Sequence, residues 1–327
     1  MRRRVFITAA TGTAVAVTAP AVGAQRRVGF SDVERLRSRL TTLQLLENHQ
    51  GGHTALEEGA LAAAEEALTL QSQNATESVK RRLFGLAADF NTLAGWSCTD
   101  AGILDRAQTH LDRAMTLAGM ARESAAQLRI WNNVALVATQ RGDHGDAVIA
   151  GQAAQALTVS RRDPLFASLA HARTSVGYAN VQDRQSALRS LGHAEDALAR
   201  AVAAPRPGWM DFYGPGEFFG LTASVHFHLG APAEAERAAH RSLTAIPERF
   251  RRNRAMVTAR MARAQLHQGD LEQSYETANR VLDLMDGATL PTRMRTELGD
   301  YHRDLLELFP GTAQAHDWTE QVRMKWS

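Results

Sequence analysis

Apolar residues recur at helical spacing through most of the chain, and the clearest case lies within residues 127–159. Leu128, Trp131, Val134, Ala135 and Ala138 share one face; the pattern breaks at Gly142-Asp143 and resumes as Ala147, Ala150, Ala154 and Leu157. This spacing predicts two antiparallel helices joined by a tight turn. Alanine at 135 and 147 lets the two helix axes approach closely, while Trp131 and Leu157 fill the space on either side. A single hairpin leaves its outer apolar face bare, so neighbours must cover it.

The neighbours are in the chain. Turn positions fall at Gly102, Gly142, Gln182, Gly230 and Gly269, at intervals of 40, 40, 48 and 39, and five residues after each stand Ala107, Ala147, Ala187, Ala235 and Ser274. A period near forty with a small residue repeated after every turn is the signature of stacked helix pairs, and Trp131, Ala135, Gly142 and Ala147 follow the tetratricopeptide pattern. The expected fold is all-α: a right-handed α-solenoid of six tetratricopeptide-like hairpins and a terminal helix. Helices are expected over 32–49 and 54–71, 77–99 and 104–119, 123–140 and 144–160, 164–181 and 184–203, 212–229 and 232–245, 248–267 and 271–286, and 291–309. That divides the chain into a leader or linker (1–24), a degenerate capping hairpin (25–75), the repeats (76–309) and a tail (310–327). No segment alternates long enough for a strand.

Helix-start chemistry supports several boundaries. Ser31 with Glu34, Thr54 with Glu57 and Asp270 with Gln273 read as capping arrangements, and Pro164, Pro232 and Pro247 stand where a first helical residue is expected. The interval of 48 points to an insertion of about eight residues relative to the forty-residue period. It contains Pro205-Arg206-Pro207-Gly208-Trp209, and five of the chain's twenty aromatic residues lie at 209–219. Trp209, Phe212 and Tyr213 are therefore expected either to wall or cover a ligand site or to plug the gap between two repeats.

Composition changes this picture little. Apolar content of 44% and charged content of 22% are ordinary for a folded domain. Basic residues exceed acidic ones by 37 to 35, and three of them are Arg2, Arg3 and Arg4; without residues 1–24 the balance is 34 to 35. Nonspecific nucleic-acid binding by the whole surface is thus not indicated. Cys98 is the only cysteine. It excludes an intrachain disulfide and argues against a cysteine-based metal site; a buried, inert thiol is expected.

The N-terminus has two readings. Arg3-Arg4-Val5-Phe6-Ile7, a weakly apolar run and Val22-Gly23-Ala24 taken alone favour a twin-arginine export signal with its cleavage sequence; the other reading is a linker or extra helix of a cytoplasmic protein. Further on come Arg27-Val28-Gly29-Phe30-Ser31-Asp32-Val33, Leu93-Ala94-Gly95-Trp96 with Asp100-Ala101-Gly102, the Trp209 region, Leu229-Gly230 with Ala235, and Gly269-Asp270. With these pieces, residues 26–284 resemble the C-terminal region of a large actinobacterial family of XRE-type helix-turn-helix transcriptional regulators. The resemblance implies a tetratricopeptide-like sensor or oligomerisation module, and regulation rather than catalysis. Nothing before Ser31 has the length of a helix-turn-helix unit, so direct DNA binding is not expected. Those regulators carry an Arg-Arg-x-Phe-like run ahead of their repeats, which makes a cytoplasmic location the expectation and export the alternative.

Catalytic and metal signatures are absent from the pattern. His49 and His53 are separated by a helix-breaking Gly51-Gly52, His226 and His228 are two apart and diverge on a helix, and there is no glycine-rich phosphate loop. No cofactor is expected. The arginines at 249, 251, 252, 254, 260 and 263 read as a solvated face paired with Glu248, Asp270 and Glu272, with a phosphate clamp as the other possibility. Carrying over the groove positions of tetratricopeptide helices selects Asp89, Thr92, Trp96 and Thr99, then Arg129, Asn132, Leu136 and Thr139. Later repeats add Leu169, Val176, Glu217, Ser224, Phe227, Met256 and Arg263. Apolar patches interrupted by Asp89, Arg129, Asn132, Glu217 and Arg263 suit a peptide, a small ligand or a partner protein. The expected function is non-catalytic regulatory binding, as a homodimer and without stable membrane integration. An exported adaptor, or an enzyme whose pocket the 205–219 loop covers, stands as the alternative.

Overall fold

In the computed structural model the described residues are 27–326 except 51, 53 and 289, with backbone alone for 48–50, 325 and 326. The twin-arginine-like segment and the side chains of His49 and His53 lie outside them. Among the described residues the chain is entirely helical, without a strand. The helices run as pairs: α1 (Phe30–Gln50) with α2 (Thr54–Gln71), α3 (Glu77–Asp100) with α4 (Leu104–Ala121), and α5 (Ser124–Arg141) with α6 (His144–Ala156) and a short α7 (Thr158–Arg162). Then come α8 (Pro164–Asn180) with α9 (Arg184–Ala199), α10 (Pro215–His228) with α11 (Pro232–Ala245), α12 (Arg251–Leu266) with α13 (Leu271–Leu284), and α14 (Thr292–Leu308) with α15 (Ala313–Trp326).

All five expected turn residues take up left-handed backbone, with φ of 76° at Gly102, 82° at Gly142, 60° at Gln182, 69° at Gly230 and 91° at Gly269. After each turn the expected small residue packs back onto the first helix. Ser175 Oγ donates to the Ala187 carbonyl and Ser274 Oγ to the Ala262 carbonyl, both at 2.8 Å. A Cβ placed on Gly95 would stand 3.3 Å from the Ala107 carbonyl oxygen. The small residues are thus the points of contact between paired helices, and they set the interhelical distance.

The first helices of successive pairs, α3, α5, α8, α10, α12 and α14, pack side by side, and each second helix packs against the pair that follows wherever the connection is short. This is a helical-repeat solenoid, with its core in segments strung along the stack. The long connection after α9 loosens one junction: α10 leans on α8 far more than on α9. Trp209, Met210, Phe212 and Tyr213 pack with the core of that junction.

Several boundaries differ from expectation, each for a local reason. The expected helix 144–160 breaks at Leu157, whose extended backbone (ψ 149°) starts α7. Pro164 and Pro232 do begin helices, but α12 starts four residues beyond Pro247. Ser31 lies inside α1, where Asp32 accepts from the Gly29 amide instead, and Asp270 makes no side-chain cap. The expected tail is instead helical over α15 (Ala313–Trp326), whose Trp318 is buried with its ring 5.0 Å from that of Tyr301 and seals the end of the stack.

The two ends of the solenoid meet. Arg252 of α12 reaches Glu47 of α1 and Asp100 of α3, Arg293 of α14 reaches Asp100, and a Cβ on Gly102 would collide with the Thr292 side chain at 2.7 Å. The first helices therefore face a common interior. No helix among the described residues is long and apolar enough to cross a membrane.

Candidate functional site

The inner side of the first helices carries a ladder of ion pairs that steps one repeat at a time. Arg129 of α5 stands 3.3 Å from Asp89 of α3. On α8, Arg173 donates to Asn132 Oδ1 at 2.7 Å and lies 3.4 Å from Glu217 of α10. Glu217 accepts from Asn253 of α12 at 3.4 Å. Arg260 and Arg263 of α12 then pair with α14: Arg260 with Glu297 at 3.3 Å, Arg263 with Asp304 at 2.9 Å. Arg252 and Arg293 close the circuit on Asp100, which is buried.

These groups are enclosed by protein yet keep a little accessible surface, 14% for Arg129 and 15% for Arg173. Burial raises the Asp89 carboxyl above its ordinary value despite the pull of Arg129, and burial lowers Arg129, Arg173 and Arg293, which remain cations. Burial also acts on Arg252, but the Asp100 and Glu47 carboxylates outweigh it and raise that guanidinium. For Asp304, hydrogen bonds from His267 and Arg263, with the Arg263 charge, overcome burial and hold the carboxyl low. Arg173, Arg260 and Arg293 share one another's fields together with Glu217. The interior can thus exchange internal ion pairs for the carboxylates, amides or ammonium groups of a polar ligand.

Most charged and aromatic residues selected from the sequence are on this face, already partnered. Trp96 donates its indole N–H to Glu47 at 2.9 Å, and Arg293 lies over its ring. Phe227 sits beneath Arg263, 4.8 Å from guanidinium carbon to ring centre. The uncharged selections divide differently. Thr92, Thr99, Leu169 and Met256 are buried between helices, and the two threonines bond to their own backbone one turn earlier. They are core, not lining. Arg173 and Asn253 fall off the carried-over register, Arg260 enters the sequence reading only through the arginine run, and Arg293 and Glu297 lie on α14, beyond the repeats to which the register is carried. Polar or charged partners about one repeat apart, such as Asn132 with Arg173 or Arg260 with Glu297, are the available signal.

Of the arginine run only Arg249 and Arg251 are exposed, and the expected pairing with Glu248, Asp270 and Glu272 gives way to other partners. Arg251 donates to the Leu284 carbonyl, Arg254 to those of Leu243 and Ile246, and the other pairs link α12 to α1, α3 and α14. The aromatic insertion is packed into the structure. Tyr213 is buried with its hydroxyl 2.7 Å from Ser168 Oγ, Trp209 meets Phe166 edge-on at 5.8 Å, and Arg206 forms a two-pronged pair with Asp163. It fills the gap between α8 and α10. Trp209 alone also touches the ladder, under Arg129 at 5.9 Å.

Two further features involve α3 and its neighbours. A cleft of about 430 Å³ between α1, α3 and the α4–α5 turn is lined by Arg37, Arg81, Arg82, Asp89 and Glu123. Glu123 is raised by burial and by the nearby Asp89, and it fits against α3 because residue 85 is glycine: a Cβ there would stand 2.8 Å from its carboxylate. On α2, α3 and α4, the ligand atoms of Glu57, Cys98 and His110 converge within 4.8 Å of one another. Glu57, expected to cap its own helix, accepts instead from Arg106 at 2.6 Å and meets His110 Nε2 at 2.8 Å. No protein-family model matches this chain, and no curated protein is significantly similar to it.

Proposed function

We propose that the protein is a non-catalytic regulatory binding protein, in which a right-handed, tetratricopeptide-like solenoid receives a peptide, small ligand or partner protein on its charged inner face. The ladder from Asp89 to Asp304 carries this reading. Ion pairs removed from water add little net stability compared with apolar packing, so a solenoid serving only as a scaffold gains nothing by placing them there. A surface that must recognise polar groups does gain, because each rung can trade its internal partner for one from the ligand. The resemblance to regulator sensor regions supports this reading, and with it the expectation of a cytoplasmic homodimer.

The test is to pan the purified full chain against a display library of linear peptides and repeat the selection with Arg129→Ala/Asn132→Ala and with Arg173→Gln. Peptides enriched by the parent and lost by variants that melt as folded proteins are the expected result. Equal enrichment by folded variants overturns the reading. Location is tested by weighing the intact protein from fractionated cells; a species beginning at Gln25 outside the cytoplasm replaces the regulator by an exported adaptor.

A further inference from the structure

The geometry points to a zinc(II) site formed by Glu57, Cys98 and His110, independent of the inner-face reading. The three side chains come from three helices, the first turn of α2, the last turns of α3 and the middle of α4, and α2 and α4 each pack tightly on α3. Rigid elements of this kind hold ligands better than loops do. Gly95, one turn before Cys98, makes the approach possible: a Cβ at 95 would press on Leu111 at 3.0 Å, next to His110. Glu57 and Cys98 are buried, and 12% of the His110 side chain is accessible.

The donor set suits zinc. Thiolate, imidazole and carboxylate are its three common protein ligands, and bond lengths of about 2.0–2.3 Å separate tetrahedral ligands by about 3.3–3.8 Å. The observed atoms, 2.8 Å apart for Glu57 and His110 and nowhere beyond 4.8 Å, bracket that spacing, so side-chain rotations suffice. Charge also matches. A carboxylate and a thiolate neutralise a dication, leaving imidazole neutral and a fourth position for water. Without metal the thiol stays protonated, pushed up to about 11 mainly by burial, and Arg106 supplies the positive charge that Glu57 needs. Nearly half of the Arg106 side chain is exposed, at 47%, so it can swing into solvent when the ion enters. Zinc and Arg106 are alternative occupants of one carboxylate. On binding, the zinc–sulfur bond forms as the Cys98 thiol releases its proton to water, and nothing is oxidised or reduced.

The experiment titrates the purified full chain with zinc(II), and separately with cobalt(II) as a spectroscopic substitute. Cobalt is expected to give a sulfur-to-metal charge-transfer band at one ion per chain, and zinc to release about one proton, seen as a buffer-dependent binding enthalpy. Cys98→Ser, nearly isosteric, abolishes the band; His110→Gln weakens zinc binding by at least about tenfold. Arg106→Ala binds zinc more tightly than the parent, an outcome that a merely structural ion-pair cluster does not produce. Absence of the thiolate band, unchanged zinc affinity in a Cys98→Ser variant that melts like the parent, or weaker binding by Arg106→Ala overturns the site.

Discussion

At position 142 the backbone turns at φ 82° with open space around the place a side chain would occupy. A Cβ there meets no neighbour, so its cost is conformational alone: Gly142→Ala should destabilise by about 1 kcal/mol. Gly119 gives the opposite sign. It lies in α4 with helical backbone and equally open surroundings, so Gly119→Ala should stabilise by about 0.5–1 kcal/mol through helix propensity. Urea midpoints of the two variants check both; a shift in the same direction for the pair contradicts this assignment of backbone states. Glu57 shows why residue-level patterns can mislead. Thr54-x-x-Glu57 has the form of a capping box, yet the Glu57 carboxylate answers to Arg106 and His110 some fifty positions on. Burial pushes that carboxyl up, and the hydrogen bonds it accepts outweigh burial and leave it low. A side chain with two partners brought by tertiary packing does not obey its local motif.

Among the elements, the 3-10 turn Gly208–Phe212 and the residues beside it decide how the repeat of α8 and α9 joins that of α10 and α11. If this segment is core, Tyr213→Ala removes a buried ring and should cost about 3–5 kcal/mol. Tyr213→Phe should cost only about 1 kcal/mol, because Ser168 keeps its bond to the Ala194 carbonyl. Chemical denaturation distinguishes this from a movable lid, for which both changes would leave stability untouched. The same segment shows what was legible beforehand. Helix pairs could be read because turn residue and small residue recur locally, and the period needs no knowledge of packing. The plug was foreseen as one of two alternatives, since density of aromatic residues does not say which neighbours they meet. Residues 310–327 read as a tail in the sequence, although Ala315, Trp318 and Val322 stand at helical spacing and in the structure pack on the α13–α14 core. Of the ladder, Asp89, Arg129, Asn132, Glu217 and Arg263 were legible from a fixed register. Arg173 and Arg260 were not, because a rotation of one position moves a helical side chain by about 100°.

For the molecule as a whole, burial of neutral histidines sets the response to acid. His171, His226, His228 and His302 are all lowered from 6.5 by burial, so below that value the unfolded chain binds more protons than the folded one. Stability then rises with pH through this window and falls on acidification, and the urea midpoint at pH 5.5 should lie below that at pH 7.5. Closure of the solenoid has a different signature. Asp100 is buried, has Arg252 and Arg293 as its ion-pair partners, and joins α3 to α12 and α14. Removing Arg252 leaves the carboxylate to the Gly52 amide at 3.2 Å and to Arg293, whose Nε approaches to 3.3 Å without hydrogen-bond alignment. Arg252→Met should therefore cost about 3–5 kcal/mol, since it breaks the pairs with both Glu47 and Asp100. Small-angle scattering reads the architectural consequence. If these ion pairs hold the ends together, Arg252→Ala/Arg293→Ala opens the ring and raises the radius of gyration while the helical circular dichroism persists. An unchanged radius in the folded double variant assigns closure to the contact of Thr292 with Gly102 instead, and leaves the charged circuit to recognition alone.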